Sequence, residues 1–319
     1  MQTVLFNTKF LINTGRNKVI KENAVLVTGS SGLLGVPIVK TLLKDGYNVI
    51  GFDPIDLKEE HKNFNYFWID NLDVETIHLC LEKYKINKII HAGGISGPML
   101  FNDSPNIIIN NNIFLTLNLM EAARLYNKID RVIFCSSISA YGELNERNLD
   151  ETHKFAPNNL YGATKAACDL ILEQYYKKYK LDIISLRLST VYGHERKTDC
   201  FINDMIKSGR MSKKIILPFK GELHWPYIYV NDCVDSIISC LSFEGKHRYS
   251  YNISGQDFPS YEQIYQKIKS YYKDFEVNFN TKDDYQRREL FSIEKIKGDI
   301  GWYPKYDINK GIDDLIKKL

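Results

Sequence analysis

No apolar stretch of this 319-residue chain approaches the ~20 residues that a bilayer-spanning helix needs, so none reads as a membrane span. Cysteine is sparse and unpatterned. Cys80, Cys135, Cys168, Cys200, Cys233 and Cys240 form no Cys-x-x-Cys pair and no metal-ligand spacing. That argues against a metal site and for buried thiols in a reducing compartment, hence a cytoplasmic protein. A basic block with interleaved aromatics is also missing, and the formal net charge is only +3, so nucleic acid is not the implied partner. Internal repeats and low-complexity segments are absent too.

What is present is ordinary for a soluble globular protein, with 44% hydrophobic and 25% charged residues. The length suits one large or two modest domains. In residues 1–22, Lys9, Arg16, Lys18 and Lys21 precede the first acid, Glu22, a composition shared with transit peptides. Val4-Leu5-Phe6 and Phe10-Leu11-Ile12 around Asn7-Thr8-Lys9 fit an added hairpin or ordered arm better.

From residue 24 onward, strands and helices alternate. Residues 24–28 form a continuous apolar run, as in a strand buried on both faces. A helical pattern follows through Leu34, Ile38, Thr41 and Leu42, and residues 49–52 read as the next strand. Further strands are expected at 86–91, 132–136 and 183–187, with helices over 112–126 and around Tyr161. Such alternation predicts an α/β fold with a doubly wound parallel sheet. Beyond Gly193 the pattern becomes irregular, with strands at 227–230 and 249–253 and helices at 261–272 and from about 309. The expected division is an N-terminal extension (1–22), a doubly wound α/β domain (23–195) and a smaller, less regular region (196–319). Segments near 225–256 are expected to return to the first domain.

Thr28-Gly29-Ser30-Ser31-Gly32-Leu33-Leu34-Gly35 lies directly between a strand and a helix. Missing side chains there permit a tight turn and close approach of the backbone to a pyrophosphate, which the free N–H groups of the helix start would hold. Gly29, Ser31, Gly32, Leu33, Leu34 and Gly35 are the candidate contacts. Asp53 ends the second strand, where a carboxylate would accept from a ribose diol and repel a 2′-phosphate, favouring NAD over NADP. A turn-forming Asp before Pro54 is the alternative. Asp70 is a candidate for the adenine, or a simple turn residue.

Tyr161 and Lys165 lie four apart on a predicted helix and so share one face. A fixed cation favours the phenolate, and a phenol acting as a base near neutrality must come down by roughly 3 units, about 4 kcal/mol. The spacing alone is weak evidence: Tyr-x-x-x-Lys also starts at Tyr84, Tyr176, Tyr265 and Tyr306. A solvated helix face explains most such pairs. The surrounding residues single out one of them.

Taken together, these motifs resemble those of the extended short-chain dehydrogenase/reductases, in the broad NAD-dependent epimerase/dehydratase family that includes nucleotide-sugar epimerases. The resemblance runs from about Ala24 to the C-terminus. It rests on the glycine turn, Asp53, Asp70-Asn71-Leu72, His91-Ala92-Gly93, Asn112, Ser136-Ser137, Tyr161-Gly-Ala-Thr-Lys165, Arg187-Leu-Ser-Thr-Val-Tyr-Gly193, Tyr227-Ile-Tyr-Val-Asn-Asp232 and Gly301-Trp-Tyr-Pro304. It implies that 23–195 are an NAD-binding Rossmann domain and 196–319 a mainly substrate-binding region. It implies Ser137 as the catalytic hydroxyl, Tyr161 as general acid or base, and Lys165 as the residue that binds the nicotinamide ribose and aids Tyr161. It further implies Asp70, Asn71, Leu72, His91, Ala92, Gly93 and Asn112 along the cofactor, and Ser137, Ser139, Thr190, Arg287 and Arg288 near the substrate. A strand-end hydroxyl capping the backbone is the bland reading of Ser137, and a solvated charge pair that of Arg287 and Arg288. The run Asn110-Asn111-Asn112 leaves the register of Asn112 open.

The departures from the family pattern are informative. Ile138 follows Ser137 where 4,6-dehydratases carry an acid, which speaks against dehydration. His224-Trp225-Pro226 stands where an Arg or Arg-Asp is common, Thr190 where many nucleotide-sugar enzymes have Asn, and His194 where Pro is usual. The implied activity is NAD-dependent epimerisation or oxidation of a secondary alcohol on a nucleotide-linked sugar. Net dehydrogenation or reduction, including of a small substrate lacking a nucleotide, is the alternative. A non-catalytic dinucleotide-binding sensor is a remote third. The helices at 115–126 and 161–179 resemble the pair that joins two copies in this family, implying a homodimer.

Overall fold

The computed structural model describes residues 23–68, 73–97, 100–101, 103–143, 149–281 and 289–319. The first part of the chain runs β1 (Ala24–Thr28), α1 (Gly35–Lys44), β2 (Asn48–Asp53), β3 (Phe64–Trp68), α2 (Val74–Tyr84), β4 (Ile86–His91) and α3 (Pro105–Ile109). A π-helical turn (Asn110–Phe114) leads into α4 (Leu115–Tyr126), β5 (Arg131–Ser137), α5 (Leu160–Tyr179) and β6 (Ile183–Leu188). There follow β7 (Thr190–Tyr192), α6 (Phe201–Arg210), β8 (Ile215–Leu217), β9 (Tyr227–Tyr229), α7 (Val230–Ser242) and β10 (Ser250–Ile253). The chain ends with α8 (Tyr261–Lys269), β11 (Val277–Phe279), α9 (Glu294–Ile300) and α10 (Ile308–Lys318).

Seven parallel strands form the main sheet in the order β10-β6-β5-β4-β1-β2-β3. Strand side chains point alternately to the two faces, so a strand buried on both must be apolar throughout. β1 shows this directly. Val25 and Val27 join the core under α1 and α7, whereas Ala24 and Leu26 join the core under α2, α4 and α5. Ile133 and Cys135 of β5 face the first core, Val132 and Phe134 the second. The strand order reverses direction between β1 and β4, and the carboxyl ends of those strands open a crevice where such sheets bind ligands.

The later elements build the other wall of that crevice. Two short parallel pairs, β7 with β9 and β8 with β11, carry Tyr192, Tyr227, Tyr229 and Leu217 into the α1-side core. β10 returns to the main sheet and pairs with β6, aligning Asn252 with Arg187.

Several elements differ from the sequence expectation. Val230 belongs to α7, because the strand of Tyr227-Ile-Tyr stops at residue 229. The helix expected over 261–272 ends at Lys269. The helix expected over 112–126 instead starts at Pro105 and contains the π-helical turn, while β3, α2, α6 and α9 are additional elements. Residues 1–22, with the expected hairpin or arm, lie outside the described residues.

Candidate active site

A cavity of about 1020 Å³ lies along the carboxyl edge of the sheet. That is at the upper end of the ~300–1,000 Å³ usual for small-molecule pockets. Gly29, Gly32, Leu33, Leu34, Gly35, Asp53, Ala92 and Gly93 line one end, and Ser137, Ser139, Tyr161, Lys165 and Thr190 also line it. Ser31, His91 and Asn112, expected along the cofactor, are not lining residues and stand behind it. Asp70, Asn71, Leu72, Arg287 and Arg288 lie outside the described residues.

The glycine turn is built for backbone contact. A Cβ on Gly35 would sit 1.9 Å from the Gly29 carbonyl oxygen, so only glycine lets α1 start this close to β1. No side chain caps the N-terminus of α1; Val36 N–H donates to the Gly32 carbonyl at 3.1 Å and residue 37 is a proline, so this end offers a ligand chiefly its dipole. Asp53 is buried, and its two carboxylate oxygens accept from Ser31 N–H at 3.0 Å and Ile55 N–H at 2.9 Å. Both sequence readings of Asp53 therefore coexist: it shapes a local turn and also faces the cavity. Each oxygen keeps a lone pair for a further donor. These features fit a dinucleotide, whose pyrophosphate would lie against the α1 start and whose ribose would meet Asp53.

At the centre of the crevice, α5 is placed by its cap. Asn159 Oδ1 accepts the Gly162 N–H at 2.8 Å, fixing Tyr161 in the first turn. A Cβ at Gly162 would lie 2.3 Å from the Ser139 carbonyl oxygen, so glycine lets the helix press against the loop after β5. Lys165, one turn on, is buried and donates from Nζ to the Cys135 carbonyl at 2.8 Å. Its ammonium lies 5.1 Å from the Phe134 ring centre and 6.0 Å from that of Tyr161. Two residues after Cys135, Ser137 ends β5. Its Oγ accepts the Ser139 N–H at 3.1 Å, so it caps the following turn and keeps its own proton for the cavity. The capping role and the site role are held by one hydroxyl.

The other four Tyr-x-x-x-Lys pairs lie away from the cavity. Lys269 donates to the Tyr265 hydroxyl at 2.8 Å, and Lys310 sits 4.4 Å over the Tyr306 ring.

His91 has a definite task behind the crevice. Thr116 donates to the Asn112 carbonyl, so its Oγ1 must accept from His91 Nε2–H at 2.8 Å. Thr28 Oγ1 accepts from Gly93 N–H at 3.0 Å and donates to His91 Nδ1 at 2.6 Å. The imidazole is thus neutral and stitches the ends of β1 and β4 to α4. Asn112 sits on the π-helical turn. It accepts from Ile95 N–H at 2.7 Å and donates to Thr164 Oγ1 at 3.0 Å, tying the loop after β4 to α5. π-Helical turns often mark functional sites.

Sequence reasoning missed the aromatic lining by Phe201 and Tyr261, together with Arg196 and the loop residues Gly94 to Gly97. The charges of His194-Glu195-Arg196-Lys197 were a signal for Arg196. Nothing local marked the rings.

The open sheet, the glycine turn and the Ser137–Tyr161–Lys165 wall define a doubly wound, dinucleotide-binding type of protein. Residues 25–254 match the family model described as the NAD dependent epimerase/dehydratase family, and the chain belongs to that family. It is 27% identical over 309 residues to UDP-glucuronate 4-epimerase of Thermodesulfobacterium geofontis, covering 90% of this chain and 93% of that one. It is 26% identical over 314 residues to human dTDP-D-glucose 4,6-dehydratase, covering 92% and 89%. The solved structure of Thermotoga maritima UDP-glucose 4-epimerase superposes with a TM-score of 0.85 at 22% identity, over 92% of this chain and 97% of that one. That last likeness speaks for the fold alone.

Burial, with the Lys165 charge as a lesser cause, pushes the His91 pKa down to about 3. An unfolded His titrates near ~6.5, so below that pH the unfolded chain takes up a proton that the native state refuses. The associated stability is present above pH ~6.5 and is lost as pH falls toward 3. Between pH 6.5 and 4.5 the wild type should lose roughly 2 kcal/mol more than His91→Gln in urea-unfolding free energy. Parallel losses in the two proteins would show that the imidazole is not held neutral.

Proposed function

We propose that this protein is an NAD-dependent epimerase acting on a secondary alcohol of a nucleotide-linked sugar. The observation that carries the reading is the hydrogen bond from Lys165 Nζ to the Cys135 carbonyl, which lines up Lys165, Tyr161 and Ser137 along one wall of the cavity. NAD, when bound, supplies the acceptor and donor of hydride.

In this reading the residues divide the proton work. Ser137 Oγ, anchored by the Ser139 N–H, donates its proton to the carbinol oxygen and orients it. Tyr161 takes the alcohol proton as the carbon is oxidised and gives it back as the carbon is reduced. The Lys165 ammonium stabilises negative charge on the phenol oxygen at that moment, and its remaining N–H groups are available to the nicotinamide ribose. Asp53 and the α1 start bind the adenosine ribose and the pyrophosphate. Ile138 places no acid beside Ser137, which fits epimerisation better than the dehydration of the human relative. Residues 23–195 carry the cofactor in this scheme and 196–319 most of the substrate wall, with Arg287 and Arg288 as candidate substrate cations. Six free thiols, five of them buried, fit the reducing cytoplasm.

We further propose a homodimer through α4 and α5. These helices pack on one another and leave Leu125 51%, Leu170 54% and Tyr179 45% exposed. Large apolar side chains left exposed on a packed helix pair are what a second copy would cover.

Replacing Tyr161 by Phe should cut turnover by about 10²–10⁴-fold and leave NAD affinity within about twofold. The assay is a panel of nucleotide sugars followed by product identity and nicotinamide absorbance. Epimerised sugar without net NADH supports the reading, stoichiometric NADH points to a dehydrogenase, and full activity in the variant removes Tyr161 from the mechanism. In sedimentation velocity the wild type should run at twice the chain mass, and Leu125→Glu with Leu170→Glu as a monomer. A wild-type monomer at micromolar concentration refutes the dimer.

A further inference from the structure

Thr190 and Trp225 are joined to each other. Trp225 Nε1–H donates to Thr190 Oγ1 at 2.8 Å, and both residues line the cavity. The main chain holds them from behind. Thr190 N–H donates to the Pro226 carbonyl and Trp225 N–H to the Pro259 carbonyl, each at 3.1 Å. The indole is thus fixed at its root by the backbone and at its polar tip by a hydroxyl. With its one donor spent on Thr190, the indole meets the cavity through its carbon surface.

The surroundings have the same character. Phe201, Tyr227 and Tyr261 line this side of the cavity. Phe201 meets Tyr261 edge-on at 5.8 Å, and the Tyr227 and Tyr261 hydroxyls bond to each other at 3.1 Å. The guanidinium of nearby Arg196 is turned onto the carbonyls of Val191, Thr198 and Asp199.

Position relative to the reacting groups narrows the choice of ligand moiety. Ser137 is level with Leu188 in the β5–β6 register. Thr190 opens β7 two residues further along the chain, so it lies at most roughly 7 Å from Leu188. That offset is about one sugar ring. A nucleobase on the far side of a diphosphate would lie well beyond it.

We infer that Trp225, held by Thr190, is the platform on which the ring of the substrate sugar stacks, and that the pair selects sugars presenting an unbroken apolar C–H face. This rests on the nucleotide-sugar reading given above. The pair acts as one unit, since loss of either partner frees the indole to turn.

The test uses the full chain loaded with NAD and titration calorimetry. Probes are UDP-glucose, dTDP-glucose and GDP-glucose, each beside its free nucleoside diphosphate. For whichever pair binds, Trp225→Ala should weaken the sugar nucleotide about tenfold and the free diphosphate by less than about twofold. Trp225→Phe and Thr190→Val should each cost about threefold, and the double variant no more than the worse single one, because both remove the same bond. In turnover, KM should carry the loss. Thermal unfolding of each variant reports whether it is folded. Equal weakening of the free diphosphate, additive losses, or an unchanged affinity in folded Trp225→Ala overturns the platform while leaving the nucleotide-sugar reading intact. Wild-type protein that binds none of the probes overturns both.

Discussion

The site depends on a single buried ammonium. Removing a cation from water costs several kcal/mol unless its N–H groups and charge are met elsewhere. Lys165 is met by the Cys135 carbonyl at 2.8 Å and by the rings of Phe134 and Tyr161. Its partner is main chain, so the bond ties the start of α5 to the end of β5 whatever side chains surround it. Asn159 caps the helix and Gly162 lets it approach, so Tyr161 and Lys165 reach the crevice together, with Ser137 two residues beyond the anchoring carbonyl. One contact therefore helps set the spacing of three cavity-lining groups.

Polar networks on both sides keep that contact from drifting. On one side, Ser136 Oγ donates to Asp169 at 2.7 Å, and Arg187 joins Asp169 to the Tyr141 hydroxyl, which donates to Asn252 of β10. On the other, Thr28, His91, Thr116 and Asn112 form a chain in which each donor has an assigned acceptor. Buried networks of this kind rigidify, because each broken bond leaves a desolvated polar atom; of these side chains only Asp169 keeps an oxygen, Oδ1, with no partner among the described residues. The sheet is thus braced at the edge where Ser137, Tyr161 and Lys165 line the cavity.

Much of this was legible in the residues. The short apolar runs within β1, β2, β4, β5 and β6, alternating with helical patterns, read as a buried parallel sheet, and the glycine turn was marked by its place between strand and helix. α2 was less visible: only Ile77 and Leu81 are buried, and its signal was the Asp73 cap on Thr76 N–H at 2.7 Å. α7 was hidden because Tyr227-Ile-Tyr-Val runs apolar straight from strand into helix. The motifs marked His91 and Asn112 as candidates, but their positions behind the cavity depend on partners 25 and 52 residues away along the chain, Thr116 and Thr164. The Trp225–Thr190 bond spans 35 residues and could not be read locally.

The most direct test is to replace Lys165 by Met and measure turnover and NAD affinity together on the same protein. The account predicts a folded protein whose turnover of the best substrate falls at least about 100-fold, with NAD bound more weakly. Turnover within about twofold of the wild type would contradict it.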